Sequence, residues 1–198
     1  CLEFGATFIR EDIKHIVHSK LKSDRQEYDF DQLLIAAGAF SKQFTDQLGE
    51  DIPLETERGY HVHFKDSDKL ITRPICSFDS GVYLSPMDQG LRAAGTVEFG
   101  GLKNPPSPKR IEYITREAKK MISNLPDPYD SWLGFRPTLP DFVPVIGESK
   151  NFQNVFYAFG HNHLGWTLGA ITGSIIAKII SKDGVNLNFS KYSSARFR

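Results

Sequence analysis

Residues 157–180 read YAFGHNHLGWTLGAITGSIIAKII, and this stretch decides the fold class. Its opening closes the apolar run NVFYAFG (154–160), which suits a buried strand, whereas from Leu164 the apolar positions recur at helical spacing through Ile180. A buried strand leading into a helix points to an α/β protein. Between the two, Gly160 to Gly165 form a polar, glycine-flanked loop that sets unpaired backbone N–H groups at the positive end of a helix dipole. Such a place suits a phosphate or the polarised carbonyl of a bound cofactor, with Gly160 and Gly165 letting backbone approach it. The same residues equally fit a plain strand-to-helix turn with Trp166 in the core. Gly165, Gly169 and Gly173 recur at i and i+4, a small-residue groove expected to admit a strand or another helix. Thr167, Thr172, Ser174 and Lys178 interrupt the apolar run, which falls short of the ~20 residues of a membrane span.

Immediately upstream, WLGFRPTLPDFVPVIG (132–147) carries three prolines among strand-forming residues, so it is expected to lie extended along an edge or cleft. Arg136 sits in it beside Trp132, Leu133 and Phe135. Its planar guanidinium could bind a ligand carboxylate with two parallel hydrogen bonds or make a structural salt bridge with one of the many acids. Further back, Ser107 and Pro108 open a helix whose Ile111, Ile114, Ala118, Met121, Ile122 and Leu125 share a face, and Asn124 and Pro126 end it. Between Asp51 and Gly100, PLETERGYHVHF, KLITRPICSF, GVYLSPMD and LRAAGTVEFG are four strand-like runs separated by turn formers, which together predict an antiparallel sheet. Within them Tyr60 could offer a hydroxyl to a ligand or simply pack, and His61 and His63 alternate onto one solvent-facing side. At the start, residues 6–19 read as half-buried antiparallel strands, 20–31 as a polar hairpin and connector, QLLIAAGAF (32–40) as a strand buried on both faces, and 41–49 as a short helix or turn.

A chain of 198 residues can bury a sizeable core without staples. Its 24 basic and 24 acidic residues cancel and are interspersed, which argues against a nucleic-acid partner. Cys1 and Cys76 are far apart with no CxxC, so neither zinc nor a disulfide framework is expected, and the setting is read as reducing and cytoplasmic. No metal-ligand spacing, Ser-His-Asp pattern, HExxH, GxGxxG or GxxxxGK[ST] occurs. The chain opens on Cys1 and runs directly into β-like sequence, as expected of the C-terminal piece of something longer; the polar tether of a lipoprotein is not seen.

Several segments, in order, resemble the FAD-dependent D-amino-acid dehydrogenase and oxidase family, which includes glycine and sarcosine oxidases. LLIAAGAFS resembles the family's strand against the flavin nucleotide, ERGYHVHF and LRAAGTVEFGG its substrate-domain strands, GFRPTLPDFVPVIG its Gly-x-Arg-Pro signature, and FGHNHLGWTLG its Gly-His-Gly-x-x-Gly-Trp-Thr loop. The closing FSKYSSARF resembles the tail of the D-amino-acid dehydrogenase small subunit. The resemblance implies an α/β fold: a substrate domain with an antiparallel sheet and one helix at 51–139, flanked by parts of a split, Rossmann-like FAD domain at 1–50 and 140–198. It implies that Arg136 pairs with the substrate carboxylate and that Tyr60 lines the substrate pocket. It also implies that Gly160, His161, Asn162, His163, Leu164, Gly165, Trp166 and Thr167 support the flavin ring near its C2 carbonyl. Ile13, Ala37 and Gly38 would touch the adenosine and ribityl side, and Gly134 would sit by the ring. Asn162 departs from the family's glycine, although Asn tolerates left-handed backbone.

The activity so implied is hydride transfer from the α-carbon of a D-amino acid to flavin N5, yielding a 2-oxo acid and ammonia, with a quinone or oxygen as electron acceptor and possible peripheral contact with the inner membrane. A missing N-terminal part of the same polypeptide is the expected partner, and without it the fragment is expected to bind FAD weakly or not at all and to be inactive alone. Two other readings stand beside it: a glycine- or sarcosine-type oxidase, and a non-catalytic carboxylate-binding domain or lipoprotein.

Overall fold

The computed structural model describes residues 2–183 and 188–197. In chain order its elements are strands β1 (Ile13–Val17), β2 (Lys20–Ser23), β3 (Glu27–Asp29) and β4 (Leu33–Ile35); helix α1 (Lys42–Gln47); strands β5 (Glu55–Phe64), β6 (Ile75–Ser77), β7 (Val82–Met87) and β8 (Gly90–Phe99); helix α2 (Pro108–Met121); strands β9 (Asp130–Thr138), β10 (Val145–Glu148) and β11 (Val155–Phe159); and helix α3 (Gly165–Ser181). This is a mixed α/β fold that divides into two units, one formed by Glu55–Thr138 and the other by the flanking segments up to Leu54 and from Leu139.

The Glu55–Thr138 unit is a five-stranded antiparallel sheet in the order β6-β7-β8-β5-β9. Strand β5 alternates strictly, with Thr56, Arg58, Tyr60, Val62 and Phe64 buried and Glu57, Gly59, His61 and His63 on the other face. Helix α2 lies over the buried face. Its Ile114 and Ala118 are wholly enclosed with Val62, Phe64, Val82, Leu84, Leu91 and Ala93. Each such aliphatic side chain contributes about 1.5–3 kcal/mol on full burial, so this layer is what holds the sheet. The proline-bearing strand β9 takes the sheet edge, where the missing N–H of Pro137 costs no ladder bond on its outer side. Opposite Gly59 and Tyr60, Thr96 is the extra residue of a β-bulge, at φ +54°.

The flanking unit holds two three-stranded sheets, β1-β2-β3 and β10-β11-β4. Central β11 runs antiparallel to β10 and parallel to β4, with Tyr157 opposite Ile35. Ile35, Phe44, Leu48, Ile52, Leu54, Leu139, Val145, Val155, Tyr157 and Phe159 form its core. Glu50 is fully buried, with no cation paired to it among the described residues. It accepts hydrogen bonds from the hydroxyls of Ser149, Tyr157 (2.9 Å) and Ser194 (2.7 Å) and from the Lys150 N–H (3.1 Å). Burial pushes the carboxyl up, but the three hydroxyls and a backbone N–H outweigh it and hold the group below the usual range.

The polar stretch 20–31 forms the expected hairpin, with β2 and β3 paired in register from Lys20–Asp29 to Lys22–Glu27 and Lys20 and Lys22 bridged to Glu27. Opposed charges supply there what apolar alternation does not. Two expectations are corrected. Strand β4 is three residues long and only Ile35 is buried, because among the described residues it has a neighbour on one side alone. No atom lies within 4 Å of a Cβ placed at Gly169 or Gly173, so the groove predicted on α3 holds no strand or helix among the described residues; the helix buries a different stripe, through Thr172 and Ile176.

Candidate functional site

In the flanking unit the chain leaves β11 at Gly160, whose φ of +83° favours glycine. A Cβ there would also overlap Cδ1 of the buried Leu139. Asn162 is left-handed too, at φ +52°, and its Nδ2 donates to the Phe142 carbonyl at 3.1 Å. Its Oδ1 is buried and has no partner among the described residues. His161 Nε2 lies 2.9 Å from Thr172 Oγ1, and burial lowers its pKa, so it is neutral at pH 7. The Leu164 N–H donates to the His161 carbonyl and the Leu168 N–H to the Leu164 carbonyl, both at 2.9 Å. The N–H groups of Gly165, Trp166 and Thr167 therefore form the open first turn of α3, and among the described residues no side chain caps it.

His163, Leu164, Gly165 and Thr167 are exposed and Trp166 is completely so, which overturns the alternative that Trp166 is a core residue of a plain turn. Because β4 and β11 are parallel, Ala37 and Gly38 follow β4 at the same sheet end where Gly160 follows β11. Gly38 is left-handed at φ +56° with no atom near a Cβ position. Ile13, on β1, packs against the unit's core.

In the Glu55–Thr138 unit, the sheet face away from α2 carries five rows of directly opposed residues on β5 and β9: Glu55 with Thr138, Glu57 with Arg136, Gly59 with Gly134, His61 with Trp132, and His63 with Asp130. Arg136 Nη1 donates to Glu57 Oε2 at 2.9 Å, the two side chains being 32% and 19% exposed. In the next row, the paired glycines make a floor without side chains. Arg136 Nη2 stands 3.6 Å from a Cβ position at Gly59, and the Trp132 ring covers Gly134 so closely that a Cβ there would overlap it. Trp132 in turn stacks on His61, with centroids 5.0 Å apart and planes 19° from parallel. Burial, then His63 and Arg92, depress the His61 pKa to about 4, so the ring is neutral at pH 7. A guanidinium over Gly59 and an indole over Gly134 thus stand side by side on this sheet face.

Tyr60 is not part of it. Strand alternation turns its side chain to the α2 side, where it is 3% exposed and its hydroxyl donates to Glu98 while accepting from Arg58 Nη2 (3.2 Å) and the Ser107 N–H (3.0 Å). The expectation that it lines a substrate pocket is corrected: it and Arg136 occupy opposite faces of the sheet. Glu57 was missed by sequence reasoning. The signal lay in two spacings that complement each other when antiparallel, Glu57-x-Gly59-x-His61 and Trp132-x-Gly134-x-Arg136. Among the described residues no group of three His, Cys, Asp or Glu could hold a metal ion, and no helix is long and apolar enough to cross a membrane.

Comparison with known proteins adds the family. Residues 1–179 match the family model described as FAD dependent oxidoreductase. A D-amino-acid oxidase of Bradyrhizobium diazoefficiens is 37% identical over 172 residues, covering 84% of this chain and 41% of that protein. A D-amino acid dehydrogenase of Vibrio atlanticus is 28% identical over 175 residues, covering 86% and 42%. Among solved structures, glycine oxidase from Geobacillus kaustophilus superposes with a TM-score of 0.79 over 90% of this chain and 49% of that one, at 20% identity, a likeness of fold. The chain thus spans less than half the length of these relatives.

Proposed function

Because the chain belongs to the FAD dependent oxidoreductase family, we propose that its protein oxidises D-amino acids at the α-carbon, with Arg136 binding the substrate carboxylate. The family acts through FAD, which when bound supplies the acceptor for a hydride. The residues of the 160–167 loop fit such a group. The uncapped N–H groups of Gly165, Trp166 and Thr167 form a donor set for an electron-rich carbonyl, the helix dipole adds positive potential, and the buried Oδ1 of Asn162 lacks a partner. Gly160 and Asn162 bend the chain so that these donors face outward, and Ala37 and Gly38 leave the same sheet end.

The observation that carries the reading is the placement of Arg136 on the open sheet face, above the Gly59–Gly134 floor. Its Nη1 is held by Glu57, which fixes the plane of the guanidinium, and its Nη2 stands 3.6 Å from the Cβ position of Gly59, next to the indole that covers Gly134. A carboxylate held there has its α-carbon confined between guanidinium and indole, and orientation of that kind is worth far more than the binding energy alone suggests. His61 is neutral and adds no cation beside Arg136. In the FAD-loaded enzyme expressed from the complete reading frame, Arg136→Leu should raise KM for every D-amino acid by about 100-fold or more, the loss expected of one charged hydrogen-bonding partner. An unchanged KM would remove Arg136 from the site, and a preference for glycine or sarcosine over all D-amino acids would assign the other branch of amino-acid oxidation.

A further inference from the structure

The carboxylate touching Arg136 serves in the reading above only to fix the guanidinium plane, and its position gives it a second part. Glu57 and Arg136 are directly opposed, so the group proposed to bind an anion keeps an anion of its own 2.9 Å away. Glu55, two residues earlier on the same side of β5, faces Thr138 rather than a base. On β8 the neighbours of Glu57 and Gly59 are Phe99 and Val97, and neither carries charge. Over the rows from Glu55 to Gly59 and from Gly134 to Thr138 this face therefore presents one base, Arg136, and two acids. The charged Arg92 and Asp130, with His63 between them, stand two rows beyond the paired glycines.

A lone arginine would attract any anion, including a second carboxylate. An arginine with Glu57 beside it and Glu55 one row further offers a site for one carboxylate and one cation. Resting on the assignment of Arg136 above, we infer that Glu57 is a specificity-determining residue that selects amino acids with a cationic side chain and disfavours dicarboxylic ones. Specificity of this kind comes as much from the repelled competitor as from the attracted substrate. The Glu57 carboxylate lies in a partly buried setting, where solvent screens it less than it would a surface charge.

The test uses the FAD-loaded enzyme from the complete reading frame, with kcat and KM measured separately for D-arginine, D-lysine, D-methionine and D-glutamate. Wild-type enzyme should favour the two cationic substrates over D-glutamate. Relative to D-methionine, Glu57→Gln should lower kcat/KM for D-arginine and D-lysine roughly tenfold, chiefly through KM, and raise it several-fold for D-glutamate. Glu57→Asp, which keeps the charge, should retain the wild-type order. A uniform change across all four substrates in Glu57→Gln, or a wild-type preference for D-glutamate, would overturn the inference while leaving Arg136 in place. An Arg136→Leu enzyme with unchanged KM would instead overturn the assignment on which the inference rests.

Discussion

Replacing Gly160 with alanine tests how the loop after β11 is built. Two costs add at this residue. Its φ of +83° lies where an L-residue loses roughly 1–2 kcal/mol. The added methyl would also overlap Cδ1 of Leu139 and stand 3.2 Å from its Cγ, and Leu139 is fully enclosed in the unit's core, so it has no free volume to move into. Overpacking of this kind costs typically about 1–3 kcal/mol. The expected loss is therefore about 2–5 kcal/mol, read as a lower urea midpoint at unchanged slope in the complete protein. A companion Leu139→Ala exchange distinguishes the two contributions: it removes the overlap, so the double variant should be less unstable than the sum of the singles. A loss below about 0.5 kcal/mol for Gly160→Ala, or strict additivity with Leu139→Ala, would refute the reasoning.

Other outcomes follow from the same structure. Ile114→Ala, which empties a fully enclosed site between α2 and the sheet, should cost about 2–5 kcal/mol by chemical unfolding, with the spread set by how far the helix settles. The His61 pKa is depressed from 6.5 to about 4 by burial, so the unfolded chain takes up its proton first as pH falls; the associated stability is present above pH 6.5 and is lost between about 6.5 and 4. Exchange to Gln should flatten the pH dependence of the unfolding midpoint in that window. Glu50 has a lowered pKa, so its contribution is present above the ordinary carboxyl range and disappears as pH falls through the depressed value. Ser194→Ala, which removes one of its four donors, should cost about 1–3 kcal/mol at pH 7 and less once the carboxyl is protonated.

Much of this architecture was legible because it rests on local patterning. The strict alternation of β5, the apolar stripe of α2 and the switch of period between Phe159 and Leu164 each report one face turned to a core. The prolines around Arg136 likewise announced an extended segment along an edge or cleft, and β9 takes the sheet edge. What stayed hidden depends on partners distant in sequence. The hairpin of β2 and β3 is held by Lys20 and Lys22 against Glu27, a pairing that no apolar alternation announces. The Gly165, Gly169 and Gly173 stripe reveals a smooth helix side, but periodicity does not say whether that side or the one through Thr172 and Ile176 is packed.

The site divided along the same line. The glycine-flanked loop and its uncapped helix start were visible as chain-local features, and the left-handed Asn162 takes the backbone conformation its residue type tolerates. Tyr60 was misplaced because its role depends on parity along β5 relative to the register with β9, a relation between strands some seventy residues apart. Glu57 was missed for the same reason. Only the register sets it against Arg136.

The most direct measurement is the visible absorption spectrum of the protein expressed from its complete reading frame, recorded before and after anaerobic addition of a D-amino-acid panel, with the Arg136→Leu variant alongside. A yellow protein that bleaches with D-amino acids, and a variant equally yellow that bleaches only at far higher substrate concentration, is the expected result. A protein that stays colourless in the presence of added FAD, or a variant that bleaches at the same concentrations as wild type, would contradict it.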